Sequence, residues 1–362
     1  MKMILSVIKW AMFCLAGLLL FLVVCLQAYK VVLKKMTNIN TPSGVSSLEK
    51  ITLGGLNQWI FIRGTDQSNP VLIFLHGGPG APLGSISSSR KYDAKLIKHF
   101  TLVHWDQRGA GKSYHPDISL SSMTIDRLVE DCNELIEYLR NRFDTQKVFI
   151  VAHSSGSVIG IKTAHKYPDK IHAYIGVCQI INEYEQQKIS YNYIVEEAKK
   201  SGDAKTIDKI KAIGPPPYDT LQRQNDKDNY IFRYGGVVHK KAFQHIGAVM
   251  LGFLTSPEYS LLEGFKTLMN KGYEFSMNAM WQEIKNINLT KEIQSIKVPI
   301  YFFEGRYDMA TPTVLVEKFY NGLDAEKGKE FIVFENSAHI PMLEEKKKYE
   351  DLLVNLVKRK AA

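Results

Sequence analysis

Apolar and polar positions along the chain fall into patterns that change from region to region. Near the N-terminus, from Trp10 to Leu26, 17 consecutive residues carry no charge, and each is apolar or glycine. A helix of that length just spans the ~30 Å hydrocarbon core of a bilayer, with Lys9 and Lys30 placed to snorkel at either end. A core helix of a water-soluble domain is not apolar around its whole circumference, so a single-pass membrane anchor within residues 1–36 is expected. A cleaved signal peptide is the rival, but Leu26-Gln27-Ala28 places leucine where a small residue is wanted. Lys2 and Lys9 face Lys30, Lys34 and Lys35 across the span, so flanking charge does not decide which side the rest of the chain occupies.

After a polar stretch from Asn38 to Ser47 that reads as a tether, the pattern becomes one of short apolar runs separated by helical periodicity. Val71–Leu75, Phe100–His104 and Val148–Ala152 are buried-strand runs that end in glycine-rich turns or loops, and Ile300–Phe303 and Phe331–Phe334 resemble them late in the chain. Such alternation predicts an α/β fold on a largely parallel sheet. Between Asn182 and Ser295 the alternation stops: the sequence turns charged, aromatic and helical in period, broken at Gly214-Pro215-Pro216-Pro217 and Gly235-Gly236. The expected organisation is an anchor and flank (1–36), a first part of the α/β core (37–181), a helical cap (182–295) and a second part of the core (296–362), closed by a helix over Tyr349 to Lys358.

Composition agrees with a folded protein: 362 residues, 45% hydrophobic, with no biased tract. The formal charge of +9 suggests an anionic partner until the five lysines of residues 1–35 are set aside, leaving 41 basic against 37 acidic residues. Nucleic-acid binding is not expected from that balance. Cys14 and Cys25 lie in the apolar segment, and Cys132 and Cys178 in helix-like and strand-like surroundings, so neither a disulfide framework nor a zinc spacing exists. No metal or organic cofactor is called for.

Candidate chemistry centres on Ala152-His153-Ser154-Ser155-Gly156, which follows an apolar strand and precedes the helical Val158–Lys166. This is the strand-turn-helix setting of a nucleophile elbow, in which small residues two before and two after the serine let the backbone turn sharply. His76-Gly77-Gly78-Pro79-Gly80 follows the first strong strand, where a backbone N–H can point at an oxyanion together with the N–H of Ser155. Of the ten histidines, His339 alone lies late in the chain just after a strand, in a loop of small residues. Asp308, in Gly305-Arg306-Tyr307-Asp308, follows the penultimate strand and suits the orienting acid; Asp324 and Asp351 are its rivals in position only. The order serine, aspartate, histidine is that of α/β-hydrolases.

Taken together, His76–Gly80, Trp105-Asp106-Gln107-Arg108-Gly109-Ala110-Gly111-Lys112-Ser113, the elbow, Gly305–Pro312 and Ser337–Pro341 make the chain from about residue 50 onward resemble a proline iminopeptidase-like α/β-hydrolase of the serine aminopeptidase type. The resemblance implies the α/β-hydrolase fold, Ser154, Asp308 and His339 as catalytic triad, Gly78 and Ser155 as oxyanion donors, and release of an N-terminal residue, often proline, from short peptides. In that family the elbow usually reads G-G-S-W-G, whereas Ala152 to Gly156 is closer to the elbow of esterases and lipases, so a carboxylesterase or lipase-like activity near the membrane stands as the alternative. An aminopeptidase must hold the substrate ammonium, for which Glu183 and Glu185 at the start of the cap are the candidates. Tyr184, Tyr191, Tyr193, Phe232 and Tyr234 are candidates for a proline-accepting wall.

Overall fold

A computed structural model describes residues 2–82, 90 and 92–361. Helix α1 (Lys2–Met36) is exposed along its apolar length and, among the described residues, packs on the body near its C-terminal end, where Lys30 and Leu33 are buried. Strands β1 (Val45–Leu53) and β2 (Leu56–Gly64) follow as an antiparallel hairpin. Its two-residue loop, Gly54-Gly55, has both φ angles positive, the conformation that a tight hairpin turn demands and that glycine adopts without strain. The tether is therefore shorter than the polarity of Asn38–Ser47 suggests. Val45 is buried, and pairing of Ser46 with Arg63 and Ser47 with Ile62 draws the last residues of that stretch into the sheet.

Eight strands form one sheet in the order β1-β2-β4-β3-β5-β6-β8-β10. The added members are β3 (Val71–Leu75), β4 (Thr101–Asp106), β5 (Val148–His153), β6 (Ile171–Val177), β8 (Ile300–Gly305) and β10 (Lys329–Phe334); the two-residue strands β7 (Ser295–Ile296) and β9 (Asp324–Ala325) pair separately. From β4 to β10 every pairing in the large sheet is parallel. Parallel strands of this kind are covered on both faces, which is why their sequences read as continuous apolar runs. Alternate residues go to opposite sides. Ile73 and Leu75 join the core under α2 (Ile125–Arg142), α3 (Ser155–Lys166) and α10 (Thr313–Gly322), while Leu72 and Phe74 join the core under α11 (Lys346–Ala361).

The stretch between β6 and β8 carries α4 (Glu183–Lys200), α5 (Ala204–Ile213), α6 (Leu221–Arg233), α7 (Ala242–Thr255), α8 (Leu261–Leu268) and α9 (Lys271–Ile284). Side chains of Asn182, Asp203, Thr220 and Ser260 cap four of these helices by accepting a backbone N–H of the first turn, and Ser260 with Glu263 completes a capping box. Ile194, Ile210 and Ile231 make a small core of their own between α4, α5 and α6.

The Trp105–Ser113 segment acts as a clamp at the exit of β4. Arg108 Nε donates to Asp131 Oδ2 at 2.8 Å, and Gln58 Nε2 donates to the same oxygen at 2.8 Å, tying the loop to α2 and to the hairpin. Gln107 Nε2 donates to the His76 carbonyl at 3.0 Å, and its N–H donates to His76 Nε2 at 3.2 Å. Gln107 thereby holds the loop after β3 in place.

Candidate active site

Strand β5 ends at His153 and α3 begins at Ser155, so Ser154 makes the whole turn. It adopts φ 54° and ψ −127°, a region that costs a non-glycine residue on the order of 1–3 kcal/mol and persists only where the surroundings enforce it. Its N–H donates to the Val177 carbonyl at 3.0 Å, and its carbonyl accepts the Ser157 N–H at 2.8 Å. Gly156 allows α3 to start directly beside β3: a Cβ there would lie 2.4 Å from the His76 carbonyl oxygen.

The Ser154 hydroxyl donates to His339 Nε2 at 2.9 Å, and the opposite ring nitrogen, Nδ1, donates to Asp308 Oδ2 at 2.8 Å. Asp308 is buried and fully engaged: Oδ1 accepts the N–H groups of Ala310 and Thr311, each at 2.8 Å, and Oδ2 also accepts the Thr311 hydroxyl at 2.7 Å. Burial acts to raise its pKa, but the charge and hydrogen bond of His339 and the Thr311 donors outweigh it and hold the carboxyl below its ordinary range. The three side chains come from the ends of β5, β8 and β10, neighbours in one sheet apart from β6, which explains how residues 185 positions apart meet.

The histidine loop is held by groups that sequence reasoning passed over. Glu344 accepts the Ala338 N–H and Glu345 the Asn336 N–H, each at 2.8 Å, and the His339 N–H donates to the Val237 carbonyl at 2.9 Å. Inside the elbow, His153 Nε2 donates to the His339 carbonyl at 2.8 Å. Burial, followed by the neighbouring His339, pushes the His153 ring down to about 3, and burial pushes His76 down to about 4, so both rings are neutral. Ring or sulfur atoms of His153, Cys178 and His339 gather within 4.8 Å, yet both nitrogens of His339 and Nε2 of His153 are already committed to these hydrogen bonds. That cluster fits the hydrogen-bonded chain rather than a metal ion.

Ser154 and His339 open on a cavity of about 220 Å³ whose rim includes Gly78 and Ser155. The N–H of Ser155 is the first of α3, one of those a helix leaves without an internal acceptor, and the start of the helix favours negative charge there. The walls are mostly aliphatic or thioether side chains, among them Val158, Ile159, Ile231, Met277 and Met280, with Tyr273 as the aromatic member.

One end of the cavity is polar. Glu183 lies there, 3% exposed, its Oε1 accepting Gln187 Nε2 at 2.7 Å and Gln224 Nε2 at 3.0 Å, its Oε2 accepting Gln186 Nε2 at 3.0 Å. Burial raises its pKa and the nearby Asp228 adds to the rise, with the Gln187 and Gln224 carboxamides and the Lys227 charge working only partly against it. Asp228 lines the same wall, 2.5 Å from the buried Lys227 ammonium. Nothing in the periodicity of α6 singles out Asp228 among the acids of that helix.

Glu185 is not brought to this cavity. Its backbone N–H is capped by Asn182 at 3.2 Å, and its partly exposed side chain faces Lys188 at 4.0 Å beside a different depression. The aromatic wall expected from the cap is also not found: Tyr191, Tyr193 and Tyr234 pack on the α4–α6 core, Tyr184 and Phe232 are exposed, and none lines the cavity. Aromatic spacing on α4 and α6 reports packing between those helices.

Comparison with known proteins places these features in context. A family profile for the α/β hydrolase fold matches residues 70–205. The probable aminopeptidase YbaC of Bacillus subtilis is 33% identical over 309 residues, 83% of this chain and 93% of that protein. A proline iminopeptidase of Saccharolobus solfataricus is 25% identical over 347 residues, 91% of this chain and 97% of that protein. Among solved structures, the proline iminopeptidase-related protein TTHA1809 from Thermus thermophilus superposes with a TM-score of 0.60 at 16% identity, covering 87% of this chain and 98% of that one.

Proposed function

Because the chain belongs to the α/β-hydrolase family, among members similar to proline iminopeptidases, we propose that it is a serine aminopeptidase that releases an N-terminal residue from short peptides through an acyl-enzyme. The observation that carries this reading is the shared cavity, which Glu183 and Asp228 line together with Ser154 and His339. A substrate ammonium held at the carboxylates puts the first peptide carbonyl within reach of a nucleophile, while the aliphatic walls take its side chain.

In the proposed reaction His339 Nε2 takes the proton of the Ser154 hydroxyl as Oγ bonds to the carbonyl carbon. Asp308 keeps the proton on Nδ1 and stabilises the imidazolium, and the N–H groups of Gly78 and Ser155 receive the oxyanion. Collapse breaks the C–N bond as His339 returns the proton to the leaving amine. Water, deprotonated by the same ring, then hydrolyses the ester to free the acid and regenerate the serine. Residues 182–295 serve as the cap that closes the cavity, and the exposed apolar α1 serves as a membrane anchor.

A second reading, hydrolysis of acyl esters, is favoured by the apolar walls and by serine rather than tryptophan at position 155. The test is hydrolysis of prolyl and other aminoacyl arylamides against short and long acyl esters by the full chain in detergent, with Ser154→Ala as control. Arylamide turnover that vanishes when the substrate amine is blocked supports the aminopeptidase. Ester turnover indifferent to a free amine establishes the second reading instead.

A further inference from the structure

Helices α7 and α8 leave a row of large apolar side chains outside the fold: Phe243, Met250 and Leu251 on α7, Leu262 and Phe265 on α8, and Met269 just beyond it. Phe243 is 93% exposed, and each of the others is at least 40% exposed. Large apolar side chains left exposed on two helices that pack against each other point to an interaction site. We propose that this α7–α8 face docks into the interfacial layer of an anionic phospholipid membrane, beside the point where α1 enters it; the proposal rests on reading α1 as a membrane anchor.

Position argues for lipid. Helix α1 packs against α7, and Lys30 Nζ donates to the Tyr259 carbonyl at 2.9 Å, in the link between α7 and α8. Further along, the carbonyls of Lys34 and Thr37 accept from Arg90 Nη1 at 3.4 Å and Arg63 Nη2 at 2.5 Å. The foot of α1 is thus fixed to the body rather than joined to it by a loose tether. Lys30 follows Leu26, the last residue of the uninterrupted apolar run, by four positions, about 6 Å of helix rise. Interfacial helices bury their apolar faces about 5–10 Å into the headgroup and acyl boundary, so a membrane that holds the apolar run of α1 comes within that range of the α7–α8 link that Lys30 contacts.

Charge argues for anionic headgroups. Lys240 and Lys241 precede α7, and Lys266 lies on α8. The acids of the same stretch are already paired: Glu258 with Arg90 at 2.9 Å, both buried, and the half-buried Glu263 with Lys112 at 2.8 Å. Basic groups left at the edge of an apolar face are what an anionic surface attracts. The consequence for the site is direct, because α9 packs against α8 and contributes Tyr273, Met277 and Met280 to the cavity wall. The docking face lies one helix away from the substrate.

The test places a single environment-sensitive fluorophore in the full chain, in which Cys14→Ala and Cys25→Ala leave only the buried Cys132 and Cys178. Label sites are Leu251→Cys on the face, Leu18→Cys inside α1 and Lys205→Cys as a water-exposed reference. The labelled chain is reconstituted in phosphatidylcholine–phosphatidylglycerol vesicles with or without a lipid-borne nitroxide, placed at interfacial depth to probe position 251 and at the bilayer midplane to probe position 18. The expected result is emission shifted to shorter wavelength and quenched by the nitroxide at positions 251 and 18, and neither change at 205. Lipid-like emission at 18 with water-like emission at 251 keeps the anchor and overturns the docking face. Quenching at 251 but not at 18 removes the anchor, and with it the proposal that the face docks beside α1. Water-like emission at both overturns both. An apolar but unquenched label at 251 means that protein, such as a second copy of the chain, covers the face, and this also overturns the proposal.

Discussion

The Nε2–H of His153 donates to the backbone carbonyl of His339 at 2.8 Å, and the two rings lie 4.8 Å apart. The residue before the proposed nucleophile therefore holds the main chain of the proposed general base, and this bond sets the elbow against the histidine loop. Replacing His153 by alanine is expected to lower kcat by about fivefold to tenfold, the worth of one such hydrogen bond, with little change in KM. His153→Gln, which can offer an Nε2–H at a similar reach, should recover most of the loss. Steady-state kinetics of the two variants checks this; equal, large losses in both would point to disrupted packing instead.

Ser154→Ala and His339→Ala are each expected to lower turnover by about 10⁴ to 10⁶ with the fold retained, and Asp308→Asn by about 10⁴, since the amide no longer enforces the Nδ1–H tautomer. Circular dichroism alongside the rate measurement separates lost chemistry from lost structure. A folded Ser154→Ala protein with near-native activity would sink the assignment.

The two glutamates at the start of α4 make a discriminating pair. Glu183→Gln is expected to lower kcat/KM for substrates with a free amine by about 30-fold, equivalent to about 2 kcal/mol, and to leave amine-blocked esters unchanged. Asp228→Asn should act in the same direction. Glu185→Gln, two residues from Glu183 and away from the cavity, should be silent for both substrate types.

Stability should fall in acid through the buried histidines. His153 and His76 are held neutral down to about 3 and about 4 by burial, whereas an unfolded chain protonates its histidines near pH ~6.5. Between those values the unfolded state binds more protons. Stability is therefore full above about pH 6.5 and declines as pH falls through the window, by at most about 1.4 kcal/mol per unit for each ring. Asp106 acts in the opposite sense: burial pushes its carboxyl up to about 6, so its contribution is greatest in acid and is lost as pH rises through that value. Denaturation midpoints of the native chain and His153→Gln in detergent, compared between about pH 7 and about pH 4.5, isolate the histidine part. The variant should show the shallower decline.

Several features are decided within a few residues of chain, and these were legible. A strand ending in Ala152-His153-Ser154-Ser155-Gly156 before a helix, glycines after β3, and an uncharged run from Trp10 to Leu26 each state a local backbone or solvation requirement that holds wherever the segment lies. Late placement of Asp308 and His339 after two apolar strands was readable for the same reason, because parallel strands deliver their C-terminal loops to one edge of the sheet. The Gly54-Gly55 hairpin carried an equally local signal.

What faces the cavity is decided elsewhere. Glu183 and Glu185 are indistinguishable as sequence, but residues two apart on a helix point about 200° from each other, so at most one can face the cavity. Which one depends on the rotation of α4, set by its Asn182 cap and by packing of Ile194 against Ile210 and Ile231. The same holds for Asp228, for the aromatics that pack between helices instead of lining the site, and for His153, whose partner lies 186 residues away. Local sequence determines which backbone turns can form and which side chains can react. Only the close packing of distant segments decides which of those side chains share one cavity, because helix phase and long-range contact have no counterpart in any short stretch of the chain.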